Sequence, residues 1–342
     1  MVTRNNRVWP TENWSESFPE ERGLNSKFLV AMDQYVQRED SKFRAILVIQ
    51  HGKLVFERYY EELEPYHYHR IASATKSIIS MLIGIALKEN YLRSLDQTLV
   101  SFFPEYASSI TDMDKQAITL RHLLTMTSGL AYDEFKDYVV RWDEGGDQWA
   151  EFALSLPMAH KPGEVFQYAS LGVHLLSIIL TKVTGKSTLD FARHYLFNPL
   201  GIATNEQDGF LWMRDPQGYY RGGGGMRLAA RDCARLGYLY LNGGQWEDKQ
   251  LFSPEYHALT TQQANAGGPP VQETYGYLWW VTNYLGYHTY FASGIGGQII
   301  AVVPELDLVV VILSANQHNP KERLQREIIP QFIIPASMDK ER

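Results

Sequence analysis

A hydroxyl and an amine lie three residues apart in the segment Ser73-Ala74-Thr75-Lys76. If a helix begins here, both side chains project from one face and can touch, because helical residues three apart are neighbours. A serine hydroxyl is a weak nucleophile at neutral pH, and a lysine can act as its base only where the surroundings keep the amine neutral. The pair indicates nucleophilic catalysis through an acyl-enzyme on Ser73.

The residues after this pair decide between catalysis and a plain helix cap. The same pattern recurs at Ser337-Met338-Asp339-Lys340, so the spacing by itself is not specific. The first copy, however, continues as SIISMLIGIAL, an apolar run at helical spacing that predicts a long buried helix from Ser73 onward. A lysine that begins a buried helix must find partners, which favours the catalytic interpretation.

A tyrosine stands just before a second apolar helix, in KPGEVFQYASLGVHLL. Tyr168 can act as a general base or protonate a leaving group, because a nearby cation eases the loss of a phenolic proton. Packing of an aromatic ring at a helix entrance is the alternative interpretation, since the chain contains 21 tyrosines. Whether Lys76 or Tyr168 is the resting base stays open.

A glycine-rich segment, ASGIGGQ at 292–298, lies between two predicted strands near the end of the chain. Glycines let the backbone approach a substrate closely, so the Ile295 N–H can join the Ser73 N–H in an oxyanion hole. Ser293 and Gly294 are candidate substrate contacts. A glycine-rich hairpin or bulge is the alternative interpretation.

The elements that must position these residues change character along the chain. The segment FRAILVIQHGKLVFERY alternates around Gly52 and predicts a β-hairpin. Helical spacing follows in TLRHLLTM, LGVHLLSIILTKV, LDFARHYLF and AARDCARLGYLYLN. Strand signals return in YGYLWWV, HTYFAS, GQIIAVVP and LDLVVVILS, and KERLQREIIPQFI predicts a closing helix whose length Pro330 limits. A helix-rich middle is therefore inserted into a sheet.

Two further features are assigned to packing. The glycine run RGGGGM at 221–226 lacks the lysine and the hydroxyl residue of a phosphate loop, so it predicts a close-packed turn lining a cleft. The one cysteine, Cys233, excludes an intramolecular disulfide framework and is predicted to be a small core residue.

Composition excludes several classes of partner. The net charge is −7 and the basic residues are scattered, which argues against nucleic acid. The sequence has no apolar run of signal-peptide or membrane-crossing length, so we expect a cytoplasmic protein without a membrane partner. No metal-ligand motif occurs, and the proposed chemistry requires neither a metal nor another cofactor. A small-molecule substrate remains the expected partner.

Six ordered segments together resemble the serine β-lactamase and penicillin-binding-protein superfamily, in particular its class C-like branch. They are RIASATKSIISMLIG, ITLRHLLTMTSGL, PGEVFQYASLGVHLLSIIL, TGKSTLDFARHYLFNPLGI, GGGMRLAARDCARLGYLYLNGG and ASGIGGQIIAVVPELDLVVVILS. The resemblance implies a nucleophile at Ser73, its lysine at Lys76, the motif tyrosine at Tyr168 and an oxyanion hole from the amides of Ser73 and Ile295.

The resemblance also implies an α+β fold of the β-lactamase/transpeptidase type, an antiparallel sheet flanked by helices with an inserted helical lobe. Residues 1–72 and 264–342 are assigned to the sheet lobe and residues 73–263 to the mainly helical lobe. Together they form one catalytic domain with the site in the cleft between them.

Two departures from the superfamily pattern bear on the substrate. Ser170 stands where the second motif usually has asparagine, and the third motif reads Ala292-Ser293-Gly294, without its usual lysine or histidine. Loss of a charge-assisted hydrogen bond should weaken the binding of penicillin-like carboxylates. Tyr132 and Trp280 are candidate aromatic walls for an apolar acyl chain.

The motifs look most like the branch containing 6-aminohexanoate-dimer hydrolase and family VIII-type carboxylesterases. We therefore expect a hydrolase of linear amides or esters. The alternatives are β-lactamase or D-amino acid peptidase activity, or a non-catalytic sensor or binding protein that keeps the fold.

Overall fold

The computed structural model describes residues 7–38, 43–61, 63–134, 146, 148–315 and 326–338. The strands are β1 (Phe43–Gln50), β2 (Lys53–Tyr59), β3 (His69–Arg70), β4 (Leu211–Trp212), β5 (Met226–Leu228), β6 (Gln245–Trp246), β7 (Lys249–Gln250), β8 (Asn265–Gly268), β9 (Glu273–Tyr275), β10 (Trp280–Tyr284), β11 (Tyr287–Gly294), β12 (Gln298–Val303) and β13 (Leu308–Ser314). The α-helices are α1 (Ser26–Arg38), α2 (Thr75–Lys88), α3 (Met113–Gln116), α4 (Leu120–Leu124), α5 (Trp149–Ser155), α6 (Ser170–Thr184), α7 (Thr188–Ala192), α8 (Ala230–Leu241), α9 (Pro254–Thr261) and α10 (Ile334–Met338).

The main sheet joins the two ends of the chain. Its eight strands run in the order β2-β1-β13-β12-β11-β10-β9-β8, and all neighbouring pairs are antiparallel. The predicted hairpin is confirmed, since β1 and β2 pair on either side of Gly52, whose φ of 75° suits the turn. The helix-rich middle of the chain is inserted between β2 and β8, as the sequence predicts.

The core lies where helices cover this sheet. Strands β12 and β13 are buried along their whole length, which requires cover on both faces. Helix α8 packs on β12, β13 and β1, and it approaches closely at Gly237, where an added Cβ would lie 2.6 Å from Val309 Cγ1. Cys233 of this helix is buried, as predicted, and burial raises the pKa of its thiol. The assignment of residues 73–263 to a mainly helical lobe stays a prediction. Helix α8 falls within this range but packs on the sheet.

Two local predictions are wrong. The segment YGYLWWV is not one strand: β9 ends at Tyr275 and β10 begins at Trp280, because Leu278 takes a φ of 61° and its N–H donates to the Leu124 carbonyl. Pro330 does not limit the last helix, which continues to Met338. The hydrogen bonding widens to a π-helical turn at Ile329–Ile333, which accommodates the missing N–H of proline.

A small second sheet, in the order β3-β5-β4, brings the site segments together. Strand β3 leads directly into the segment of Ser73, and β5 follows the glycine run. The Ile71 N–H donates to the Met226 carbonyl at 3.0 Å, so these two segments lie side by side. Behind them, α2 packs against α6. Both helices are apolar on nearly every side, as expected of helices inside a core.

Candidate active site

Ser73 lies in a 3-10 turn, Ala72–Ala74, and not in the helix that was predicted to begin with it. Helix α2 begins at Thr75, whose hydroxyl donates to the Ala72 carbonyl at 2.7 Å and holds the turn. Ala72 has a φ of 48°. A non-glycine residue pays about 1–3 kcal/mol for such a conformation, and strain of this kind clusters at functional sites. The turn leaves Ser73 partly exposed between buried alanines.

Lys76 occupies the first turn of α2, and its side chain is directed at the serine. Its Nζ donates to Ser73 Oγ at 3.0 Å and to the Gly223 carbonyl at 2.6 Å, and it lies 4.8 Å from the centroid of the Tyr168 ring. The residue is only 1% exposed. The predicted contact between Ser73 and Lys76 is therefore present, inside the protein and away from bulk water.

Tyr168 lies just before α6 and forms a cluster of side chains with Ser73 and Lys76. It is 8% exposed and its ring stacks on that of Trp280, with centroids 5.9 Å apart and planes inclined by 16°. Burial raises the pKa of the Tyr168 phenol well above its ordinary value, a hydrogen bond with Ser73 lowers it in part, and the Glu134 carboxylate raises it further. The phenol is thus held in its protonated form beside the serine.

The glycine run is closely packed, as the sequence predicts, and one of its carbonyls accepts a hydrogen bond from Lys76. Its place in the lining of a cleft stays a prediction. Gly223 packs against α6 so tightly that an added Cβ would lie 2.6 Å from Ser170 Cβ and 3.0 Å from its carbonyl oxygen. The next glycine, Gly224, has ordinary space, because the nearest atom to its added Cβ would be the Ala72 oxygen at 3.5 Å. A side chain at position 223 would therefore disturb the contact with Lys76, whereas a side chain at position 224 would not.

We therefore expect Gly223→Ala to lower kcat/KM by about 10- to 100-fold, because a displacement near 1 Å at a reacting group can cost that much. The added methyl group must push the Gly223 carbonyl away from Lys76, while Gly224→Ala should stay within about twofold of the wild type. Steady-state kinetics on one ester, with melting temperatures of both variants, would measure this. Equal losses in the two variants would contradict the assigned role of the Gly223 carbonyl.

The third motif lies against the turn that carries Ser73. Strand β11 ends at Gly294, where an added Cβ would be 2.3 Å from the Ile71 carbonyl oxygen. Only glycine permits this approach of β11 to the segment that leads into Ser73. The Ile295 side chain is 45% exposed and Ser293 is partly exposed. Their roles in an oxyanion hole and in substrate contact stay predictions.

The other predicted substrate contacts are packed inside the protein. Ser170 is buried, and its hydroxyl and N–H both donate to Glu134, at 2.5 and 2.7 Å. Trp280 is buried under the Tyr168 ring. Tyr132 is also buried, and its carbonyl accepts a hydrogen bond from the Gln167 side chain. A role in substrate binding stays a prediction for all three.

Sequence reasoning missed two residues that contact the predicted group. Glu134 follows Tyr132 in a segment with no recognisable motif, and the sequence gives no signal for its contact with Ser170. Gly223 falls in a run that was recognised as a close-packed turn, but its contact with Lys76 was not predicted.

Two classes of feature do not occur in the described ranges. No group of three or more histidine, cysteine, aspartate or glutamate side chains there is arranged to hold a metal ion. Among the same residues, no helix has both the length and the apolar composition needed to span a bilayer.

Known proteins are similar to this chain over most of its length. The family model described as Beta-lactamase matches residues 32–330. The 6-aminohexanoate-dimer hydrolase of Paenarthrobacter ureafaciens is 27% identical over 305 residues, which cover 81% of this chain and 74% of that protein.

Two solved structures share the fold. The octameric penicillin-binding protein homologue from Pyrococcus abyssi has a TM-score of 0.72 at 21% identity, covering 92% of this chain and 78% of that one. EstCE1, described as a hydrolase with promiscuous acyltransferase activity, has a TM-score of 0.70 at 18% identity. The match covers 89% of this chain and 98% of that one.

Proposed function

Because the chain belongs to the beta-lactamase family of serine hydrolases, we propose that it cleaves linear amide or ester substrates through an acyl-enzyme on Ser73. One observation carries the proposal. The Lys76 amine lies 3.0 Å from Ser73 Oγ in a buried site, which is within the distance at which a base can accept the serine proton.

Acylation uses the three clustered side chains. Ser73 Oγ attacks the substrate carbonyl carbon while its proton passes to the Lys76 amine, and the carbonyl oxygen becomes an oxyanion. The amides of Ser73 and Ile295 would donate to that oxygen. When the tetrahedral adduct collapses, the bond to the leaving nitrogen or oxygen breaks, and Tyr168 supplies the proton that this atom needs. Lys76 then returns a proton to Tyr168.

Deacylation repeats these steps with water. Lys76 and Tyr168 activate a water molecule that attacks the acyl carbon, and the Ser73 oxygen leaves with a proton from the same pair. The acid product then departs. The Lys76 amine lies over the face of the Tyr168 ring, so the titrations of the two groups are coupled and belong to the pair.

The substrate class rests on what stands in the third motif. Position 292 is a buried alanine where a cation would hold the carboxylate of a β-lactam, and the exposed Ile295 after the third motif would offer an apolar contact. A similar protein is named for hydrolysis of the 6-aminohexanoate dimer, and a similar structure is described as a hydrolase with acyltransferase activity. The name of the first supports a linear amide as the substrate.

A fluorophosphonate probe tests the chemistry. Native protein should gain the mass of one phosphonyl group, and peptide mapping should place the group on Ser73, because only an activated serine reacts. Protein unfolded in guanidinium is the control and should not be labelled. If native protein forms no adduct, the alternative of a non-catalytic sensor or binding protein is favoured.

A substrate panel then ranks the classes. It comprises p-nitrophenyl esters, the 6-aminohexanoate dimer, a D-amino acid peptide and a chromogenic cephalosporin. We expect a linear ester or amide to have the highest kcat/KM. Fastest turnover of the cephalosporin would contradict the inference from the missing cation and support β-lactamase activity instead.

A further inference from the structure

A buried carboxylate without an assigned role lies next to the clustered side chains. Glu134 is 8% exposed, and its Oε1 and Oε2 accept the hydroxyl and the N–H of Ser170, at 2.5 and 2.7 Å. Hydrogen bonds to a charged acceptor are about twice as strong as neutral ones. The segment of Glu134 is therefore tied firmly to the start of α6.

This contact fixes the position of Tyr168. The residue before α6, Ala169, makes no side-chain cap, so the first N–H of the helix is satisfied by Glu134. A negative charge at a helix N-terminus is further stabilised by the helix dipole. A second tie runs from the Gln167 side chain to the Tyr132 carbonyl. Tyr168 lies between these two anchored positions.

The same contact reaches Lys76 on its other side. Ser170 packs against Gly223, and a Cβ added to that glycine would lie 2.6 Å from Ser170 Cβ. The Gly223 carbonyl accepts from Lys76 Nζ at 2.6 Å. A displacement of Ser170 would therefore move both the tyrosine and the carbonyl that holds the lysine.

The charge of Glu134 is secondary to this contact, because a phenol with an ordinary pKa of about 10 is already protonated at neutral pH. The carboxylate raises the pKa of the phenol in the same direction as burial does. Other titratable groups that interact with the phenol include Lys76, whose amine lies over the ring, and Tyr275, which is buried. Of these neighbours, Glu134 is the one that favours the protonated phenol by its charge.

We propose that Glu134 is a positioning residue: through its two hydrogen bonds to Ser170 it fixes Tyr168, which supplies the proton to the leaving group, and the Gly223 carbonyl that holds Lys76. The inference rests on the proposed hydrolase function. In the step concerned, the bond between the acyl carbon and the leaving atom breaks, the leaving atom takes the Tyr168 proton, and the Lys76 ammonium reprotonates the phenolate.

Two esters of the same acid separate this role from general support of the fold. Ethyl butyrate and p-nitrophenyl butyrate form the same butyryl enzyme, but ethoxide must be protonated to leave whereas p-nitrophenolate need not be. In Glu134→Gln, we expect kcat/KM for ethyl butyrate to fall about tenfold more than that for p-nitrophenyl butyrate, since general acid catalysis contributes about 10²- to 10⁴-fold. Equal losses on the two esters, or no loss on either, would overturn the proposal.

Two further variants complete the test. Glu164→Gln removes the same charge from an exposed residue of the preceding loop and should keep the ratio of the two esters within about twofold of the wild type. Ser170→Ala removes the hydrogen bond from the Ser170 hydroxyl to Glu134 and should shift the ratio in the same direction by a smaller factor. If Glu134→Gln does not fold, the result with Ser170→Ala tests the proposal. If the wild-type protein hydrolyses neither ester and is not labelled by the fluorophosphonate, the proposed function is wrong, and this inference fails with it.

Discussion

Ser73→Ala is expected to abolish fluorophosphonate labelling and to lower kcat/KM for the best substrate by a factor on the order of 10⁵ to 10⁶. The hydroxyl oxygen is the only group proposed to form the covalent bond, and removing a nucleophile costs about as much as removing the whole catalytic group. Intact-protein mass after exposure to the probe and steady-state kinetics measure the two effects. Retained turnover would move the chemistry away from Ser73.

A second serine of the same helix provides the control. Ser77 lies one turn further along α2, where its buried hydroxyl donates to the Leu278 carbonyl at 2.7 Å. Ser77→Ala removes a hydrogen bond worth about 1 kcal/mol, so the melting temperature should fall slightly. Labelling and kcat/KM should stay near the wild-type values, because this hydroxyl points at a structural carbonyl.

Lys76→Met is expected to lower kcat/KM by about 10³- to 10⁴-fold, because the variant keeps the shape of the side chain and loses the proton acceptor. The melting temperature should change little, because methionine keeps the apolar volume of the side chain and removal of a buried amine offsets the lost hydrogen bond to the Gly223 carbonyl. Loss of activity without loss of stability would show that this lysine is kept for catalysis. Stopped-flow measurement of acylation by p-nitrophenyl butyrate, with calorimetry, provides both values.

A matched lysine tests whether burial alone explains the effect. Lys115 is also buried, and its amine donates to the Leu154 carbonyl at 2.9 Å, away from the clustered side chains. Lys115→Met should leave kcat/KM within about twofold of the wild type. Comparable losses of activity in Lys76→Met and Lys115→Met would contradict the proposed role of Lys76 as the base.

The family resemblance was sufficient to predict the fold class. The α+β fold of the β-lactamase/transpeptidase type is confirmed by the antiparallel sheet and by solved structures that share it. The β1–β2 hairpin and the buried Cys233 were also correct, because alternation and burial follow from local composition. One failure came where a distant contact overrules local pattern, at Leu278, whose N–H donates to the Leu124 carbonyl.

Within the site, the sequence by itself determined the pairing of Ser73 and Lys76. They are three positions apart, and the 3-10 turn that runs into α2 brings side chains at that spacing together. The motif also identified Tyr168 as a candidate, although one sequence cannot tell such a tyrosine from a packing aromatic.

The tertiary structure alone decided what surrounds that pair. Lys76 and Gly223 are 147 positions apart, and Glu134 and Ser170 are 36 apart. No local pattern encodes such contacts. A backbone carbonyl is present at every position, and glutamate and serine are common on protein surfaces, so only the packed fold shows which of them meet. The sequence thus determined which groups can react, and folding over long separations decided the hydrogen bonds and charges that hold them in place.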